Sequence, residues 1–188
     1  MSRVDLFGII HKGIRGLLFE LSREAARADL TSTQAVDGLV AHVERTLGFL
    51  DEHAHLEETH VIPVLRGLDP VLAEELAREH RGLEVAQLEV ERAADALALA
   101  NLSLRVEAGA QLARMINHLV AVQLIHMNRE ETEVNAALWA GLGDGELDAI
   151  RTRSREAIPP ARHREWLELL ATAVNPVEHR LVLGTRVG

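Results

Sequence analysis

Four long stretches of this sequence repeat apolar residues at alternating steps of three and four, and short runs of helix breakers separate them. That spacing lays one apolar stripe along one side of an α-helix, and four such stripes have to bury against each other. Three Phe, two Trp and no Tyr, with no period-two runs of β-branched residues, give strands little support. The fold class read from the chain is all-α: an up-down-up-down four-helix bundle with a short helical C-terminal extension. Its 188 residues suffice for one substantial core.

The breakers set the boundaries. The first helix is expected from about residue 3 to the Asp29–Thr33 turn, where Thr31, Ser32 and Thr33 offer capping hydroxyls to the second. The second runs to about Arg66 and stops at Gly67, with Pro63 kinking its last turn or ending it early. Asp69-Pro70 opens the third as cap and first helical residue, and Asn101-Leu102-Ser103 turns the chain into the fourth, which reaches Ala140. Turns this short force antiparallel neighbours. Residues 1–141 thus form the bundle. Residues 142–188 form an extension with helices expected at Asp144–Ala157 and Pro160–Ala173 and an apolar finish at Leu181-Val182-Leu183, read as a lid or association surface.

Each stripe carries a histidine where a leucine is expected. The stripes are Phe7, His11, Ile14, Leu18 and Leu21; Leu39, Val43, Thr46, Leu50, His53, Glu57, His60 and Val64; Leu76, His80, Leu83, Gln87 and Val90; and Leu112, Met115, Leu119, Val122, His126 and Glu130. The turns test whether these histidines share a level, because residues of antiparallel neighbours are level when the turn lies midway between them. Thr33 lies midway between His11 and the His53/Glu57 pair, Gly67 between that pair and His80, and Ser103 beside the midpoint of His80 and the His126/Glu130 pair. All four histidines fall in one layer.

His53 and Glu57, and again His126 and Glu130, stand one turn apart on one helix face, so both side chains of a pair reach one centre. The two segments match as H-x-x-x-E-E-T-x-V, and His11-x-Gly13 matches His80-x-Gly82, so the halves read as a repeat. Four imidazoles and two carboxylates exceed the needs of one ion, and this donor set suits iron or manganese better than calcium. A single histidine on an apolar face is ordinarily a hydrogen-bonded core residue. Agreement in stripe, level and repeat turns the reading toward ligation, since burying Glu57 and Glu130 without a counter-charge costs several kcal/mol each.

The formal net charge of −9, with basic residues scattered among acids, argues against a nucleic-acid or anionic-membrane partner. Absence of cysteine excludes disulfides, thiolate-bound zinc, iron–sulfur clusters and a thiol nucleophile. Absence of tyrosine excludes a tyrosyl radical. The first residues carry no signal-like apolar run, and no stretch of eighteen uncharged apolar residues occurs, so the expected address is cytoplasmic.

One inward histidine per helix, with H-x-x-x-E on the second and fourth, resembles the hemerythrin-like HHE cation-binding family over about residues 6–140. The resemblance implies a four-helix bundle around an oxo- or carboxylate-bridged di-iron centre, with manganese or zinc as substitutes. Its ligands would be His11, His53, Glu57, His80, His126 and Glu130, with Glu57 and Glu130 as bridges. It implies a small ligand such as dioxygen, peroxide or nitric oxide, bound in a sensing, storage or carrier role. Two alternatives stay open: a di-iron enzyme acting on peroxide or nitric oxide, and a metal-free helical interaction protein. Oxygen-carrying members have a second histidine one turn after the third-helix ligand; here that place is Glu84, which counts against simple oxygen carriage.

The remaining polar residues receive plainer readings. His60 and Glu133 repeat one heptad beyond His53 and His126, and helix-end packing is preferred for them over ligation. His55, Glu58 and Glu131 fall off the stripes and read as solvated; Arg15, one turn from His11, is read as a surface arginine in preference to one paired with a ligating carboxylate; and Trp139 and Trp166 read as buried against the extension. Flat helical faces leave a homodimer open.

Overall fold

The computed structural model describes residues 3–183, the last three as backbone only. Every element among them is helical and there is no strand. In chain order these are α1 (Gly8–Ala25), α2 (Thr33–His60), α3 (Ile62–Leu68), α4 (Pro70–Leu99), α5 (Arg105–Arg129), a π-helical turn (Glu130–Val134), α6 (Asn135–Gly141), α7 (Asp144–Ala157), α8 (Pro160–Ala173) and α9 (Pro176–Leu183).

Side-chain hydrogen bonds fix several of the starts. Ser32 Oγ accepts from the Ala35 amide at the head of α2. Asp69 Oδ1 accepts from the Val71 and Leu72 amides at the head of α4, where Pro70 needs no partner for a missing N–H. At α7 the Glu146 carboxylate takes the Gly143 amide. Asn175 serves the Val177 and Glu178 amides at α9.

The first helix begins later than the stripe suggests, and Asp5 is the reason. Its Oδ1 accepts from the amides of Phe7 and Gly8 and from Asn135 Nδ2 at 2.9 Å, so the chain turns into α1 only after it. Burial raises the Asp5 carboxyl, but these bonds and the charge of His11 outweigh burial and hold it below its ordinary value. The stability it contributes is therefore present above the ordinary carboxylate range and is lost as pH falls through the depressed value. Asp5→Ala is expected to lower the unfolding free energy by about 1–2 kcal/mol, read as a lower urea midpoint at unchanged m-value.

Pro63 divides the second stretch. α2 ends at His60, Val61 is the junction, and α3 starts one residue before the proline, which sits where a helix tolerates a missing amide. The fourth stretch is also divided: α5 gives way at Glu130 to the π-helical turn, whose wider i→i+5 winding neither spacing nor propensity announces.

Contacts group the chain into two compact units, one drawing on the chain up to Gly16, on Ala54–Ala77 and on the chain from Met127 onward, the other on Leu17–His53 and Arg78–His126. In the first, Phe7, Ile62, Leu65, Leu76, Val134 and Leu138 form a core with Leu147 and Ile150 of α7. Trp139 packs on that core and donates Nε1–H to the Val4 carbonyl, while Trp166 of α8 is buried. Leu169 and Leu170 of α8 press on Gly13 so closely that a Cβ there would stand 3.0 Å from Leu170 Cδ2. This accounts for the glycine two residues after His11.

The second unit buries Leu18, Leu21, Leu39, Val43, Phe49, Leu50, Val90, Leu97 and Leu112. Here the buried stripe of α5 departs from the expected one: Ile116 and Gln123 are buried, whereas Met115 and Val122 are half-buried. The three-four alternation fits either phase, and only packing chooses. The side chains of Leu181, Val182 and Leu183 lie outside the described residues.

Candidate metal centre

α1 supplies His11, α2 supplies His53 and Glu57, α4 supplies His80, α5 supplies His126, and the π-helical turn opens with Glu130. All six are buried, with His11 and Glu130 at 0% exposure. They form two groups, His11, His53, Glu57 and Glu130, and Glu57, His80, His126 and Glu130. Within each group the offered nitrogen and oxygen atoms all lie within 4.8 Å of one another. Glu57 and Glu130 belong to both.

Mixed imidazole and carboxylate donors at this spacing fit a divalent transition metal. The carboxylates supply negative charge in a place with little water to screen it, and a bound cation would offset the cost of burying them. The imidazoles of His80 and His126 meet edge to face, ring centres 4.8 Å apart. Phe7 stacks on His11 at 5.6 Å.

Hydrogen bonds orient His11 and His126. His11 Nδ1 lies 2.9 Å from Glu131 Oε1, and its Nε2 lies 3.3 Å from Glu130 Oε2. His126 Nδ1 lies 3.0 Å from Glu79 Oε2. Burial lowers the His11 pKa, but the bonds and charges of Glu130 and Glu131, with Glu57 behind them, reverse this and lift it to about 9. Glu131 is held below its ordinary value: burial raises it, and the bonds and charges of His11 and Arg15 more than offset that. In the metal-free chain a proton on His11 thus supplies the counter-charge.

Residues 3–138 match the hemerythrin HHE cation-binding domain, most of the chain's length. The chain belongs to the hemerythrin HHE cation-binding family. No curated protein and no solved structure matches this hemerythrin-like chain. The helical fold and the buried His and Glu groups fit a metal-binding member of that family. No helix among the described residues is long and apolar enough to cross a membrane.

Two expectations about neighbouring residues need correction, and one further residue was missed. Glu131 is half-buried on His11 instead of solvated, because it follows Glu130 in the π-helical turn and both face the same imidazole. Arg15 is no free surface arginine: its Nη2 bonds Glu131 Oε1 at 2.8 Å. Glu79, which stripe reasoning passed over, reaches His126. The signal that pointed to them was weak, namely an acid directly beside a ligand residue in sequence, and Glu58, equally placed beside Glu57, is exposed.

The other candidates fall outside both groups. Glu84 is exposed, as is His55. Glu133 is exposed and pairs with Arg129 Nε at 2.9 Å, while Arg129 also reaches Glu75. His60 is half-buried at the end of α2, and its buried Nε2 makes no hydrogen bond.

Proposed function

We propose that this hemerythrin-like chain is a non-haem di-iron protein that binds dioxygen or a related small ligand in a sensing or storage role. The observation that carries the reading is the sharing of Glu57 and Glu130 by two groups of four buried donors, since two carboxylates common to two donor sets are what a bridged pair of ions requires. In this reading α1, α2 with α3, α4, and α5 with its continuation are the four members of an up-down-up-down bundle. His11 and His53 would serve one ion, and His80 and His126 the other.

Four donors to each ion leave room in its coordination sphere, and a small ligand would take that place. Bound iron supplies the redox chemistry that such a ligand needs. The chain contributes the Phe7 ring stacked on His11 and the histidine orientation described above. The exposed position of Glu84 supports sensing or storage over oxygen carriage, because the family's extra third-helix ligand has no counterpart here.

Protein expressed in iron-supplemented medium and exposed to air is expected to contain about two irons per chain and to show the charge-transfer absorption of a bridged ferric pair. A chain that stays empty after anaerobic incubation with ferrous, manganous or zinc salts would overturn the reading. It would leave a helical interaction protein.

A further inference from the structure

Beyond the six donors, two acids stand behind the centre in matching ways. Glu131 directly follows Glu130 and bonds Nδ1 of His11 on another helix. Glu79 directly precedes His80 and bonds Nδ1 of His126 on another helix. Each group of donors therefore contains one histidine backed by an acid that neighbours a donor of that same group in sequence: His11 with Glu130 in the first, and His126 with His80 in the second.

We propose that Glu131 and Glu79 are positioning residues, each of which holds one imidazole with its Nδ1–H turned outward and its Nε2 turned to the metal. The inference rests on the metal-centre reading above. A neutral imidazole carries one proton and has two places for it. A carboxylate 2.9–3.0 Å from Nδ1 fixes the proton there and leaves the Nε2 lone pair for coordination. The bond also stops the ring from rotating about its Cβ–Cγ bond, so less freedom is lost when the ion arrives.

Both acids stay in contact with water. Their side chains are 27% and 33% exposed, enough for water to solvate the oxygens turned away from the histidines. Glu131 has in addition the Arg15 guanidinium at 2.8 Å, which is itself on α1 one turn from His11. Arg15 and His11 thus take hold of the same Oε1 from one helix face and fix where it stands. The π-helical turn contributes as well: its wide winding lets Glu130 and Glu131, consecutive in sequence, address the two nitrogens of one ring.

The test uses the full chain and Zn²⁺, a diamagnetic probe. Zn²⁺ affinity is measured by chelator competition for the unaltered chain and for Glu131→Ala, Glu79→Ala, Glu131→Gln and Glu79→Gln. Glu133→Ala serves as control, since it removes the same charge nearby but contacts Arg129 and no histidine. The expected result is a 10- to 100-fold loss in each alanine variant, partial recovery in the glutamine variants, whose amide oxygen still accepts from Nδ1–H, and a change under twofold in the control.

A second readout is independent of affinity. In the zinc-loaded chain, ¹⁵N-resolved spectra are expected to show slowly exchanging Nδ1–H protons on His11 and His126, and each alanine variant loses that protection on its own histidine alone. Alanine variants that bind within twofold of the unaltered chain, or that lose no more than Glu133→Ala, would overturn the assignment while leaving the metal centre standing. An unaltered chain that takes up no Zn²⁺ overturns both.

Discussion

Glu130→Gln is expected to remove most of the metal from the chain, while His126→Ala is expected to leave about one ion behind. The difference follows from group membership. Glu130 is a donor in both groups, whereas His126 is a donor in the second only, so His11, His53, Glu57 and Glu130 remain in place without it. Glu57→Gln should resemble Glu130→Gln for the same reason. Glutamine keeps the volume at a fully buried position, so helix content is expected to be unchanged, and circular dichroism reports whether it is.

His163→Ala, on α8 and outside both groups, is the control and should match the unaltered chain. Metal per chain after anaerobic loading and desalting decides the matter. Equal metal in all four variants would remove the centre from these residues. Equal loss in Glu130→Gln and His126→Ala would mean that the two groups fill as a unit and cannot hold one ion alone.

The burial and grouping of the six candidate donors were legible because they depend on two regularities that a sequence displays directly. Helical spacing put His11, His53, His80 and His126 on inward stripes, and turn positions put them at one level; all four prove buried. Boundaries governed by local chemistry were equally readable: Asp69-Pro70 at α4, Pro63 at the end of α2, and both extension helices.

What was not legible depends on contacts between distant segments. The start of α1 is set by Asp5, whose partner Asn135 lies on the far side of the sequence. The π-helical turn has no local signature, and it carries Glu131 from a solvated place in the spacing to the ring of His11. Gln123 instead of Val122 faces inward because the three-four alternation permits two phases. Gly13 looked like half of a repeated motif, and the physical demand on it comes from Leu169 and Leu170, more than 150 residues later.

The proton on His11 leads to an expected effect on stability. In the unfolded chain this imidazole has its ordinary pKa of 6.5, and in the folded metal-free chain it is raised to about 9. A raised pKa means that the folded state binds the proton more tightly. The stabilisation is therefore fully present below pH 6.5 and is lost as pH rises through about 9. The ring is fully buried, so solvent does little to screen the interaction, and the shift corresponds to about 3 kcal/mol. Urea midpoints of the metal-free chain should accordingly fall between pH 6.5 and 9, and His11→Gln should flatten that part of the profile, since groups elsewhere titrate alike in both chains. Loading with metal should flatten it too, because an ion coordinated at Nε2 replaces the proton as counter-charge to Glu57 and Glu130. The same competition makes metal uptake release a proton from His11, so apparent affinity should rise by up to tenfold per pH unit from pH 7 to about 9. If the metal-free chain and His11→Gln keep the same slope across this window, the imidazole is neutral in the fold, and the buried carboxylates draw their counter-charge from elsewhere.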